Sequence, residues 1–283
     1  DKFIRTYEEG GTPNPCIDCN RFMKFEKLLD FAFAHGLNYI VTGHYARIER
    51  DEQSGRYVLK KGVDEGKDQS YVLYNLTQHQ LAHTIFPLGA YSKTEIREMA
   101  EKQNFCNARK HDSQDICFVP DGDYVGFMEQ YTGKHYPAGD YLDLEGNKVG
   151  THEGAVRYTI GQRRGLRLPM GDRVYVCGKD MEMNTVTVGP ESALFASRVI
   201  VRDMNWISVP ALTGEMRVKA KLRYRQKEQP AVASPLADGR ILLTFDEPQR
   251  APAVGQAAVL YDGDTVVGGG TICAVPADTE DCV

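Results

Sequence analysis

Thr12-Pro13-Asn14-Pro15-Cys16-Ile17-Asp18-Cys19-Asn20 is a two-proline loop that holds a C-x-x-C pair. Both prolines fix their own backbone and push Thr12 and Asn14 towards extended conformations. A loop restricted in this way loses little further entropy when it orders a thiol. The next residues, Arg21 to His35, carry Phe22, Phe25, Leu28, Leu29, Ala32 and Phe33 at helical spacing, with Gly36 as a stop. This pattern predicts a helix and places Cys19 at or just before its N-terminus, where free N–H groups favour a thiolate. The strand pattern Leu37 to Thr42 follows and ends at Gly43-His44, so helix, strand and glycine form half of an α/β unit.

A second cysteine segment, Ser113-Gln114-Asp115-Ile116-Cys117-Phe118, lies far along the chain. We expect Cys19 and Cys117 to meet and carry out sulfur chemistry. Three plainer readings compete. A structural zinc site lacks a second ligand pair, because ten residues separate Cys106 from Cys117. A thioredoxin-like pair lacks a strand-to-helix pattern ahead of it. Core packing of small thiols is the third. The polar run Arg109 to Asp115 leaves the charge balance around Cys117 open.

Further motifs carry a resemblance. Thr42 to Arg47 reads T-G-H-Y-A-R, Gly66 to Tyr71 reads G-K-D-Q-S-Y, Gly154 to Leu166 contains Y-T-I-G-Q-R, and Ala220 to Gln226 reads A-K-L-R-Y-R-Q. Together with the two cysteine segments, in this order, they resemble the tRNA-specific 2-thiouridylases. The resemblance implies ATP-dependent 2-thiolation of the tRNA wobble uridine. It makes Cys19 the nucleophile and Cys117 the persulfide carrier, with a Cys19–Cys117 disulfide as by-product. Asn14, Pro15 and Cys16 would line the target-base pocket, and Gly43 would contact ATP, used with Mg. Contacts to tRNA would come from His44, Lys67, Asp68, Gln69, Arg223, Tyr224 and Gln256. A sulfur-relay protein or cysteine desulfurase would donate the sulfur. Many relatives carry Asp where this chain has Cys16. That departure opens an alternative, an iron–sulfur cluster on Cys16, Cys19 and Cys117 with one open iron. A non-catalytic RNA-binding relative is a reading from another class.

The implied fold is α/β plus β. Residues 1–120 would be the C-terminal part of a PP-loop ATPase domain of the adenine-nucleotide alpha-hydrolase-like type. Residues 121–195 would be a small central domain that contacts tRNA, 196–275 an antiparallel β-barrel, and 276–283 a tail. The phosphate-cradling S-G-G-x-D-S loop of the family is absent. Gly268-Gly269-Gly270 does not supply it. The chain as given is therefore expected not to activate uridine unaided.

Composition agrees with this class. The 283 residues are 42% hydrophobic and 26% charged, which gives ample core for two or three domains. No apolar run reaches membrane-spanning length, and seven irregularly spaced cysteines suit a reducing cytoplasm. A net charge of −5 argues mildly against a nucleic-acid partner, but the distribution argues for one. Arg217, Lys219, Lys221, Arg223, Arg225 and Lys227 alternate, so a strand would project all six from one face. Arg157, Arg163, Arg164 and Arg167 add a second basic stretch. Thr77/Gln80 and Ser92/Glu95 read as capping boxes.

Overall fold

The computed structural model describes residues 1–109, 116–119, 121–169 and 173–277. Lys110 to Asp115, within the polar run and the second cysteine segment, and the tail from 278 onwards lie outside the described residues. The chain opens with helix α1 (Lys2–Glu8). A continuous helical run follows: α2 (Pro15–Asp18), a π-helical stretch (Cys19–Lys27) and α3 (Leu28–Ala34). The helix thus starts six residues earlier than its apolar spacing indicates. Asn14 takes an extended N-cap backbone and Pro15 occupies the first helical position, where its missing N–H costs nothing. Cys19 therefore lies inside the helix, and the residue near its N-terminus is Cys16.

The helix buries Phe25, Leu29 and Ala32, while Phe22 (41%) and Leu28 (45%) stay exposed. Its core face is narrower than the sequence pattern suggests. The strand expected over 37–42 is shorter as well. Only β1 (Ile40–Val41) forms, and it pairs in parallel with β4 (Thr84–Ile85). Between them lie a hairpin, β2 (Ala46–Arg50) and β3 (Tyr57–Lys61), a 3₁₀ turn (Ser70–Leu73) and α4 (Gln78–Ala82). Helix α5 (Lys93–Lys102) follows. Both capping boxes form as expected, on Thr77 with Gln80 and on Ser92 with Glu95.

Helix α6 (Tyr124–Thr132) packs on α1 through Ile4, Tyr7, Val125 and Met128, with Tyr7 stacked on Tyr124 at 4.4 Å. A four-stranded sheet comes next: β5 (Gly139–Leu142), β6 (Lys148–His152), β7 (Tyr175–Asp180) and β8 (Thr185–Gly189), in the order β6-β5-β8-β7. Its core is built on Tyr141, Tyr158, Val176 and Val186.

The remaining strands are β9 (Phe195–Trp206), β10 (Met216–Lys221), β11 (Gln229–Pro235), β12 (Ile241–Arg250), β13 (Ala257–Asp262) and β14 (Thr265–Ala274). They run in the order β13-β10-β11-β12-β9-β14, and β13 pairs with β14, which closes a six-stranded antiparallel barrel. The α/β plus β-barrel class inferred from sequence is the class observed. The β2–β3 hairpin joins this sheet through Lys60 opposite Thr265. One core therefore runs from Leu59, Tyr71 and Leu73 into Val259, Tyr261 and Val266 of the barrel.

The glycine run of β14 is explained by this packing. A Cβ at Gly268 would stand 2.5 Å from the Asn205 carbonyl oxygen, and one at Gly269 would stand 2.6 Å from the Tyr74 ring. These glycines admit close neighbours and do not form a phosphate loop. The cation ladder also needs correction. Strand β10 ends at Lys221, so only Arg217, Lys219 and Lys221 share its outer side, opposite the buried Val218 and Ala220. Arg223 and Arg225 lie in the turn beyond the strand. Among the described residues, no helix is long and apolar enough to cross a membrane.

Candidate functional site

The site is built on the helix that starts at Pro15. Two buried asparagines pin it from behind. Asn20, 2% exposed, donates from Nδ2 to the Val72 carbonyl at 3.0 Å, and Asn75 donates to the Ile17 carbonyl at 3.2 Å. The π-helical stretch opens at Cys19, and such local widenings occur frequently at functional sites. The barrel holds the preceding loop. Thr12 N–H donates to the Val254 carbonyl and Gln256 Nε2 donates to the Thr12 carbonyl, each at 2.8 Å. Gly255 has φ +88°, and a Cβ there would meet Thr6 at 2.9 Å and the Thr12 nitrogen at 3.0 Å. The T-P-N-P loop is thus clamped between α1 and a barrel turn.

Cys16 and Cys19 lie on this helix turn, and Cys117 lies on a separate one. Cys16 is pushed above its ordinary pKa by desolvation, then by negative charge at Cys117 and at Cys19, with Lys24 opposing. Cys117 is thus within electrostatic range of Cys16. Its turn is anchored by Phe118, whose ring meets Phe3 and Phe127 edge-on or tilted, each at 5.3 Å, and by the buried Val119. The Lys2–Asp18 ion pair at 2.6 Å ties α1 to the same helix turn.

Two expectations about these sulfurs are corrected. Cys19 and Cys117 are both free thiols, so the implied disulfide is not formed. Cys19 is half-buried on a helix and Cys117 is exposed on a separate turn. Among the described residues, no group of three or more metal-ligating side chains is assembled, so Cys16, Cys19 and Cys117 do not form the cluster-ligand set. Their mutual influence is electrostatic, without the shared focus that a cluster requires.

The other sequence candidates divide by environment. Gly43 follows β1, and a Cβ there would touch only Leu88, at 3.4 Å. His44 is 8% exposed, bonded through Nδ1 to Thr42 Oγ1 at 2.8 Å, and packed against Phe25 and Phe86. Burial, aided by Lys24, pushes its pKa down to about 4, so it is neutral at pH 7. Asp68 is buried and accepts from Gly62 N–H, Ser70 N–H and Ser70 Oγ–H at 2.8 to 3.1 Å. Gln69 accepts from Tyr45 N–H at 3.0 Å. These two side chains shape the 66–71 loop.

Arg223 is a strut. Its Nη2 donates to the Ile160 and Ala251 carbonyls at 3.0 and 2.7 Å, and its buried Nε has no partner. Burial and the adjacent Arg250 push its pKa down. Tyr224 lies 5.9 Å from the Tyr71 ring. On β10, Arg217 forms a bidentate pair with Asp246. Sequence reasoning missed Asn20 and Asn75, because a buried polar side chain leaves no periodic signature.

The chain matches three family models. They are described as the tRNA methyl transferase HUP domain (residues 1–121), the tRNA methyl transferase PRC-barrel domain (125–190) and the aminomethyltransferase beta-barrel domain (196–272). Several curated relatives are similar over nearly its whole length. The tRNA-specific 2-thiouridylase MnmA 1 of Thermoanaerobacter sp. (strain X514) is 51% identical, over 96% of this chain and 75% of the relative. The corresponding MnmA of Acetivibrio thermocellus is 49% identical over 95% of this chain and 75% of its own length. That of Heliobacterium modesticaldum is 50% identical over 95% and 71%. From its cysteine loop to its closed barrel, this chain belongs to the tRNA-specific 2-thiouridylase family.

Proposed function

We propose that this protein replaces the C2 oxygen of the tRNA wobble uridine with sulfur, using Cys117 as persulfide carrier and Cys19 as nucleophile. The uridine leaves its stack to reach the thiols, and Asn14, Pro15 and Cys16 line its pocket. ATP, with Mg, activates O2 as an adenylate, and Gly43 is the position that admits close approach of the nucleotide. The outer sulfur of the Cys117 persulfide attacks C2 and AMP departs. Cys19 then attacks the inner sulfur, and C2 keeps the outer one. This leaves Cys19 bonded to Cys117, and a cellular thiol reductant returns both to thiols before a sulfur-relay protein or cysteine desulfurase reloads Cys117.

The observation that supports this reading is that Cys16 and Cys19 share one helix turn, which the Lys2–Asp18 ion pair ties to α1, while α1 also receives the Cys117 turn through Phe3 and Phe118. Cys16 stands where an acid/base carboxylate would otherwise be. Its raised pKa keeps it protonated, so it can donate a proton to the departing oxygen. The RNA backbone is held through Lys67 and the outer cations Lys219 and Lys221, with Arg223, Tyr224 and Gln256 in supporting contacts. His44, neutral and buried, borders the tRNA side.

The test is thiolation of tRNA by the full-length enzyme, read by mass spectrometry of its nucleosides. Cys19→Ser and Cys117→Ser should each abolish 2-thiouridine while leaving tRNA binding intact. Omission of ATP should do the same. Full activity of Cys117→Ser with a persulfide donor would remove the carrier role. RNA binding without ATP-dependent thiolation in the unaltered enzyme would favour a non-catalytic RNA-binding protein.

A further inference from the structure

The π-helical stretch places one more residue beside the thiols. Asn20 and Phe25, five apart, are its two buried residues, and the half-buried Cys19 and Lys24 each stand just before one of them. Leu28 N–H donates to the Met23 carbonyl, five residues back, as the wider turn requires. Cys19 and Lys24 therefore share one flank, a single wide turn apart. Met23, which a regular α-helix would bring next to Cys19, is 62% exposed. Side chains of a helix lean towards its N-terminus, so the four-carbon stem of Lys24 leads back over the turn that carries the thiols.

Among the described residues, Lys24 makes no ion pair and no side-chain hydrogen bond. A half-buried ammonium without a counter-charge is a place for an anion. Its surroundings say which one. Phe25, the next residue, packs against the His44 ring at 5.7 Å. His44 follows Gly43 beyond the C-terminal end of β1, the end at which parallel sheets receive ligands. The Lys24 charge bears on both sides, on His44 after burial, and on Cys16 after burial and the two other sulfurs. At Cys16 those opposing effects win and the thiol stays protonated, so that sulfur is not the anion Lys24 serves. His44 is neutral at pH 7 and supplies no cation of its own. Lys24 is thus a cation set between the thiol turn and the nucleotide side, and a nucleotide phosphate is the anion that fits.

We propose that Lys24 is a catalytic residue that holds the phosphate of the adenylated uridine while AMP departs. This rests on the thiolation reading above. In that step the outer persulfide sulfur bonds to C2, the C2–O2 bond breaks, and O2 leaves with its electron pair on the phosphate. The phosphate gains negative charge as it becomes the terminal group of AMP. An ammonium already in place is worth more to the departing AMP than to the adenylate, so its contribution appears in the rate and not in RNA binding.

The experiment uses the full-length enzyme, charged with persulfide, in a single turnover with tRNA and ATP. Products on the tRNA are read by mass spectrometry, and tRNA binding is followed by fluorescence anisotropy. Lys24→Ala should slow 2-thiouridine formation about a hundredfold, the loss expected for one preorganised donor to a developing anion, with tRNA affinity unchanged. AMP-linked uridine should accumulate on the tRNA, because activation goes ahead while AMP departure lags. Lys24→Arg, which keeps the charge, should recover most of the rate. A merely structural role would lower the midpoint of denaturant melts and trap no adenylate. Thiolation at the parental rate in Lys24→Ala, or slow thiolation without AMP-linked uridine, overturns the inference and leaves the function standing. A loss of tRNA affinity that matches the loss of rate would make Lys24 an RNA-backbone contact, which also overturns it. An unaltered enzyme that forms neither AMP-linked uridine nor 2-thiouridine overturns both.

Discussion

The two sides of the thiol site are held by different physics. The Cys16–Cys19 side is a helix turn fixed by buried polar bonds, with Asn20 on Val72, Asn75 on Ile17 and the Thr12 backbone on the barrel. The Cys117 side is a turn attached through ring contacts at Phe118 and one buried valine. Directional bonds to buried partners fix orientation, because a misplaced donor is left unsatisfied. Ring contacts leave no donor or acceptor stranded when they shift, and each pair is worth only about 0.5–1.5 kcal/mol beyond its buried area. The Cys16–Cys19 turn is thus set by directional bonds, while the turn of the proposed sulfur carrier is set by apolar packing.

The contrast can be broken by acid. His44 packs against Phe25 of the pinned helix and is held neutral, with its pKa near 4 against 6.5 for an ordinary histidine. Above pH 6.5 both folded and unfolded chains leave it uncharged. Below that, the unfolded chain binds the proton first, so stability falls as pH drops towards 4, by up to about 3 kcal/mol. Thermal melts from pH 7 to 4 should show this loss, and His44→Gln should flatten it. A second attack is Asn20→Ala, expected to cost about 1–3 kcal/mol in denaturant melts by stranding the Val72 carbonyl. Phe118→Ala should cost only about 0.5–1.5 kcal/mol of stability, yet lower thiolation by more than Asn20→Ala does per unit of stability lost. Equal ratios would show that the two sides do not differ. The smallest effect is the sharpest. Cys117→Ser removes one negative neighbour of Cys16, so alkylation of Cys16 should reach half-maximal rate at lower pH than in the parent protein. No change would mean the sulfurs are not close in solution.

Much of the architecture was legible. Short strands with turns between them gave away the barrel, and T-x-x-Q and S-x-x-E marked two helix starts. The start of the cysteine helix was misread because proline breaks helices in their interior but suits their first position, and spacing alone cannot say which applies to Pro15. The six-cation ladder failed for a related reason: alternation continues in sequence after the strand has turned at Leu222. Side-chain loyalties were least visible. Asp68 and Gln69 look like a solvated polar loop, yet both bond to backbone N–H groups of the fold. The effect of Cys117 on Cys16 depends on how α1, α6 and the 116–119 turn pack, and no local pattern encodes that.

The strand Thr265–Ala274 has a consequence for biosynthesis. It seals the barrel between Phe195–Trp206 and Ala257–Asp262, and the hairpin at 46–61 leans on it. The turn that grips Thr12, at Val254 to Gln256, lies one strand before it. On the ribosome, the cysteine loop must wait for its clamp at Gln256, which is made 244 residues after Thr12. Until then its sulfurs remain unplaced. A nascent chain stalled before residue 254 should leave Cys16 and Cys19 open to reagents that the finished protein slows.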